Sequence, residues 1–203
     1  MIAYRYPNAA HARWHGPQGY EDYTSYKPWL RDEFAFECVY CLNREKWSPH
    51  GADGFGVDHV VAQATDPNLA VDYENLVYAC ARCNSYKQDN MVLNPCHVVL
   101  SNHVRINDDG TVEALTAEGD NYVRVLGLDD PVISDFRRRL LRVLVDLGVS
   151  DDLEARERLA EWLGFPLDLP NLSRLRPLRN TRPEGVERSY YAMRMRGELA
   201  RRY

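Results

Sequence analysis

The chain contains no run of about 18 apolar residues, the length a membrane-crossing helix requires. Its opening stretch, MIAYRYPNAAHARWH, also lacks the uninterrupted apolar segment of a secretory leader. Both absences argue against a membrane or exported protein, so the cytoplasm is the expected compartment and no membrane partner is expected. Positive charge is also short: the formal net charge of -5 argues against a protein that coats nucleic acid without specificity, because phosphate binding depends on neutralisation by Lys and Arg. Cysteine is sparse, with five in the chain, and in a reducing compartment these read as metal ligands or buried thiols rather than a disulfide framework. No internal repeat is visible. What remains is ordinary globular material: 203 residues, 45% hydrophobic and 27% charged, enough for one domain with an appendage.

The chain divides into four stretches. Residues 1–30 are rich in Tyr, His, Trp, Gly and Pro without a sustained period, and read as an irregular arm packed on something else, with no chemistry assigned to it. Residues 31–95 carry the motifs described below. A short helix is expected from Pro28, a breaker-rich loop at SPHGADGFG, a strand at GVDHVVAQA, a connecting loop and short strand, and a helix through CARCNSYKQD. Residues 96–170 hold an expected β-hairpin around Asn107-Asp-Asp-Gly110, a further extended piece at NYVRVLGL, and two helices. The first of these helices is PVISDFRRRLLRVLVDLG, with arginines outside its apolar stripe; the second is DDLEARERLAEWLG, with Ser150 as candidate N-cap and Gly164 as candidate stop. Residues 171–203 form an Arg-rich tail of nine arginines against three glutamates, net +6, which leaves -11 on residues 1–170.

Cys38-Val-Tyr-Cys41 and Cys80-Ala-Arg-Cys83 are two C-x-x-C knuckles, the spacing at which both thiolates of a pair reach one tetrahedral ion. Two pairs complete a four-sulfur shell, so a structural zinc is expected, and Cys96 is left as a buried or neutral thiol. The 38 residues between the knuckles exceed the usual gap of roughly 15 to 20, so a functional insertion lies between them. Within and just after it stand Asp58-His59, Asn75, and Cys83-Asn84-x-x-Lys87.

These residues, as VDHVVAQ followed by ENLVYACARCNSYKQD, resemble the HNH endonuclease family over about Cys38 to Asn90. The resemblance implies an α+β fold: a ββα-metal core stapled by the four-cysteine zinc site and followed by a β-hairpin and C-terminal helices. It implies that Asp58 and Asn84 hold one divalent ion. Asn84 stands where the family name has its last histidine, and two oxygen donors favour Mg²⁺ or Mn²⁺. His59 is implied as the general base, suited by the ordinary imidazole pKa near about 6.5, and Asn75 as the amide that ties the loop between the two strands and orients His59. Lys87, three residues after Asn84, and Arg82 are candidate phosphate contacts, either of which has a plain surface alternative.

The implied function is a metal-dependent endonuclease, DNA being favoured over RNA as substrate, in a restriction-like or phage-defence setting. An RNA-cleaving nuclease with the same site and an inert zinc-stabilised nucleic-acid-binding module are the alternatives. One geometric condition accompanies the reading. Neighbouring residues of a regular strand point to opposite faces, so the strand must end or bulge at Asp58-His59 if both are to serve one site. The tail has two readings, phosphate contacts with Tyr190 and Tyr191 available for stacking, or an amphipathic segment docked on acidic residues of the body.

Overall fold

The computed structural model describes residues 3–201, so Arg202 and Tyr203 of the tail lie outside the described residues. In chain order the elements are strand β1 (Pro17–Gln18), helix α1 (Lys27–Glu33), strands β2 (Phe55–His59) and β3 (Leu76–Cys80), and helix α2 (Ala81–Lys87). Hairpin strands β4 (Val104–Ile106) and β5 (Val112–Ala114) follow, then helices α3 (Ala117–Leu126), α4 (Pro131–Val149) and α5 (Leu153–Trp162). Strand β6 (Arg179–Asn180) and helices α6 (Glu184–Arg188) and α7 (Tyr190–Met195) close the chain. The expected α+β class with a ββα core, a hairpin and C-terminal helices is what forms. No helix among the described residues is long and apolar enough to cross a membrane.

The three sheets are two-stranded and antiparallel: β2 with β3, β4 with β5, and β1 with β6. Isolated ribbons are marginal in water, so each must lean on helices. All five residues of β3 are buried, which explains its unbroken run Leu-Val-Tyr-Ala-Cys; α1 packs across it, and the side chains of Trp29, Leu30, Leu76 and Tyr78 are fully buried. The register places Asp58 opposite Val77 and His59 opposite Leu76, and β2 ends at His59, which meets the geometric condition set by the sequence.

Two expectations from the sequence change. NYVRVLGL is helix α3, not an extended piece. Thr116 accepts a hydrogen bond from the Gly119 N–H, Glu118 and Asp120 sit in the first turn, and Gly127 ends the helix in the left-handed region at φ 56°. Tyr122, Val123 and Leu126 are its buried face. For α5, the N-cap is Asp152, whose carboxylate accepts from the Ala155 N–H, rather than Ser150, and the helix stops at Trp162, two residues before Gly164. For α4, Asp130 caps the first turn ahead of Pro131.

The arm and the tail are held by two adjacent carboxylates of α1. Glu33 accepts from the Trp14 and His15 N–H groups at 2.9 Å, from the Tyr73 hydroxyl at 3.1 Å, and pairs with His11 at 2.8 Å. Asp32 pairs with His15 at 2.8 Å, both fully buried, and accepts from the Tyr190 N–H at the start of α7. Burial pushes the Asp32 carboxyl up, opposed by His15 and the Tyr190 N–H. Gly185 has no side chain for a reason: a Cβ there would lie 2.3 Å from the Trp14 carbonyl. Phe36, Phe165 and Leu169 form a second small core against which Tyr190, Tyr191 and Leu199 pack. The tail is therefore docked on the body through Tyr190 and Tyr191, which turns these rings inward rather than toward a nucleic-acid base.

Candidate active site

The two knuckles meet at the β3–α2 junction. The Sγ atoms of Cys38, Cys41, Cys80 and Cys83 all lie within 4.8 Å of one another, and all four residues are buried. The Cys41–Cys80 separation is 3.8 Å. A tetrahedral ion with Zn–S bonds of about 2.3 Å requires sulfur–sulfur edges of about 3.8 Å, so the cluster has the size and the donor chemistry of a closed four-thiolate zinc shell. Burial pushes the Cys38 thiol up, while hydrogen bonds with the other three thiols pull Cys80 down. Cys80 also caps α2, its Sγ accepting from the Cys83 N–H. Cys96 stands apart from this shell, half-buried, with its thiol pushed up by burial.

Next to the cluster opens a cleft of about 450 Å³ whose lining includes Asp58, His59 and Asn84. The strand end of β2 and the second turn of α2 thus bring together the three residues expected at the reacting centre. The Asp58 carboxylate is buried. Its Oδ2 accepts from the Tyr40 hydroxyl at 2.6 Å and its Oδ1 lies 3.5 Å from Lys87 Nζ. Burial pushes its pKa up, and the Lys87 charge and the Tyr40 hydrogen bond pull it back. A carboxylate has about four lone-pair sites, so two contacts leave acceptor capacity for a cation. Asn84 donates from Nδ2 to the Val57 carbonyl at 3.4 Å, and its Oδ1 meets no donor among the described residues. One carboxylate oxygen and one amide oxygen beside an open cleft fit a hard divalent ion that keeps several waters.

The His59 ring is fixed through Nε2, which lies 2.9 Å from the Ala70 carbonyl. A carbonyl only accepts, so Nε2 carries the proton and Nδ1 is the basic nitrogen of the neutral ring. With that tautomer the Gln63 amide, 3.0 Å from the same nitrogen, belongs with its oxygen rather than its nitrogen toward the ring. Tyr23 packs edge-on at 4.8 Å from the ring centre. Asn75 is buried and bridges the loop: its Oδ1 accepts from the Val61 N–H at 2.8 Å, while Nδ2 donates to the Val61 carbonyl at 2.9 Å and the Leu69 carbonyl at 3.2 Å. Leu69 adjoins Ala70, so this amide braces the carbonyl that holds His59.

The two expected phosphate contacts are engaged elsewhere. Lys87 is fully buried, and its ammonium donates to the His59 carbonyl at 2.6 Å as well as facing Asp58. Its place three residues after Asn84 does put it on the cleft side of α2, but the side chain runs beneath Asp58 instead of out into solvent. Arg82 donates to the Leu126 and Gly127 carbonyls at 3.1 and 2.9 Å and lies over the Tyr86 ring, fastening α2 to the end of α3. Neither lines the cleft, and no other Lys or Arg among the described residues does.

Sequence reasoning missed Tyr23, Tyr40, Gln63 and Asp89. Tyr40 had a signal, since it sits inside the first knuckle, where a turn built to aim two thiolates also aims the residue between them. Tyr23 had none, because it arrives from the aperiodic arm.

Residues 38–90 match the family model for the HNH endonuclease. No curated protein matches the chain. The matched span begins at the first knuckle and ends just past α2, so it encloses the thiolate cluster, β2, β3 and the cleft. Residues 38–90 are thus similar to the HNH endonuclease domain, whose family acts on nucleic acids.

Proposed function

We propose that this protein is a metal-dependent endonuclease that hydrolyses phosphodiester bonds of DNA, with the cleft between β2 and α2 as its active site. The observation that carries the proposal is the His59 ring, held by Nε2 against the Ala70 carbonyl in the one tautomer that leaves Nδ1 as a base, in the same cleft as the oxygens of Asp58 and Asn84.

In this reading Asp58 and Asn84 hold one Mg²⁺ or Mn²⁺ ion, which when bound supplies Lewis-acid stabilisation of the charge that builds on the phosphate and leaving oxygen. His59 takes the proton from the attacking water at Nδ1, and the Ala70 carbonyl stabilises the imidazolium that results through the Nε2 proton. Asn75 keeps that carbonyl in place. Lys87 and Tyr40 orient the Asp58 carboxylate from behind, so Lys87 is a positioning residue and not a phosphate contact. The thiolate cluster binds zinc and fixes the β3–α2 junction on which Asn84 depends. Water attack at phosphorus with the 3′ oxygen leaving gives 5′-phosphate and 3′-hydroxyl ends. The site grips a phosphodiester without a described residue that selects the sugar, so RNA is the alternative substrate. A restriction-like or phage-defence setting accords with such an activity.

The test incubates purified protein with plasmid, single-stranded DNA and total RNA under Mg²⁺, Mn²⁺ or no added divalent ion. Nicking or linearisation of plasmid that requires Mg²⁺ or Mn²⁺ is expected. Degradation of RNA alone would transfer the proposal to RNA, and no cleavage of any substrate would favour the inert binding module.

A further inference from the structure

The cleft has a charge problem. Asp58 and Asp89 line it, Lys87 is consumed beneath it, and Arg82 faces α3, so the lining offers no free cation to hold the strand on either side of the scissile phosphate. The contacts of the arm show where cations come close. Tyr23, whose ring packs on His59, lies three residues after Tyr20, at most about 10 Å along the chain. The Tyr20 hydroxyl donates to the Leu175 carbonyl, between Arg174 and Arg176. Just beyond, β6 pairs with β1, the Thr181 N–H donates to the Gly16 carbonyl at 2.9 Å, and Arg182 binds the His15 carbonyl at 2.9 Å and Glu74, the neighbour of Asn75, at 3.1 Å. Residues 175–182 are therefore pinned at both ends to a segment that runs directly into the site.

Arg174, Arg176 and Arg179 are exposed, and their side chains make no ion pair or hydrogen bond among the described residues. Several other exposed arginines are neutralised locally: Arg138 and Arg139 share Asp135, and Arg156 and Arg158 face Asp151, Asp152 and Glu154. At Arg174, Arg176 and Arg179 the flanking backbone is fixed and the charges have no partner among the described residues. Arg174 closes a short 3-10 turn, Leu172–Arg174, and Arg179 opens β6, so the three arginines stand on one short connecting segment, at most about 17 Å from first to last. Guanidinium groups bind phosphate oxygens in a bidentate fork.

Resting on the nuclease reading above, we infer that Arg174, Arg176 and Arg179 form a phosphate-binding strip that holds the nucleic-acid backbone outside the cleft and so supplies the affinity the acidic cleft lacks. The strip is sequence-independent, because it meets phosphates and no base edges.

The test uses the full-length, zinc-containing chain with His59→Ala to prevent cutting, and measures binding to a labelled 30-base-pair duplex, its single strand, and the RNA duplex of the same sequence across a salt series. Combined Arg174→Gln, Arg176→Gln and Arg179→Gln is expected to weaken duplex DNA binding at least about tenfold and to lower the log–log salt slope by roughly two to three, at about 0.9 per lost phosphate contact. A matched triple, Arg139→Gln, Arg156→Gln and Arg158→Gln, removes equal charge and is expected to change neither. An unchanged affinity and slope in the first triple, or an equal loss in the second, would overturn the strip. Loss on the RNA duplex with none on DNA keeps the strip and changes the substrate. A parent chain that binds none of the probes would instead bring down the nuclease reading itself.

Discussion

Two groups of metal-competent side chains share helix α2 and differ in almost every physical respect. Cys83 looks into a closed, buried shell of four sulfurs, while Asn84, the next residue, looks into an open cleft with oxygen donors and room for water and phosphate. Structural zinc sites fill their shell with protein ligands, whereas catalytic sites keep positions open for water and substrate. Soft and hard donors also divide the ions, thiolates selecting zinc and oxygens selecting magnesium or manganese. In the proposed reading, one short helix lends rigidity on one side and chemistry on the other. Tyr40, carried by the first knuckle and hydrogen-bonded to Asp58, couples the two.

That contrast is open to attack at both ends. The largest effect belongs to the sulfur side. Cys80→Ser is expected to lose the zinc, about one per chain by metal analysis, and with it the fold as followed by circular dichroism, since structural zinc contributes on the order of 10 kcal/mol. A metal-free chain that melts normally would erase the distinction.

On the oxygen side, His59→Ala is expected to cost about 10²- to 10⁴-fold in cleavage rate while leaving zinc content and melting temperature in place. Lys87→Met probes the ground between. It removes the cation beneath Asp58 and the donor to the His59 carbonyl, so denaturant unfolding should show a loss of about 3 kcal/mol, with slower cleavage and nucleic-acid affinity within twofold of the parent. A large loss of affinity with unchanged stability would return Lys87 to the phosphate.

The smallest effect is a pH dependence remote from either ion. Burial pushes the Glu33 carboxyl up, but hydrogen bonds from His11 and the Trp14 N–H, with the His15 and His11 charges, more than offset it and hold the group below the usual 4.5. A carboxyl depressed by folding stabilises the protein above its unfolded value and loses that contribution as pH falls through the folded one. Glu33→Gln should therefore be less stable than the parent at pH 7, and the gap should narrow below about pH 4.5 in urea titrations. A gap constant with pH would mean that Glu33 acts through packing alone.

The grouping of the candidate site residues was legible because its signals are local. C-x-x-C spacing, Asp-His at a strand end and Asn three residues before Lys on a helix are short-range patterns, and the structure gathers Asp58, His59 and Asn84 into one cleft as those patterns require. Side-chain direction was not legible. Lys87 and Arg82 read as surface cations from their spacing, yet each found carbonyl acceptors whose position depends on tertiary packing. NYVRVLGL reads as extended because Tyr122, Val123 and Val125 favour strands, while the decisive Thr116 cap lies outside that window and Gly127, inside it, marks a helix stop only once the cap is recognised. The arm was opaque for the same reason that it matters: Glu33 and Asp32 hold it through individual hydrogen bonds that no periodicity encodes.

The most direct measurement is single-turnover cleavage of an end-labelled duplex in Mg²⁺ by the parent chain and by His59→Ala, each with its full zinc complement. The account predicts defined 5′-phosphate products from the parent and binding without cutting from the variant. Equal cleavage rates for the two proteins would contradict it.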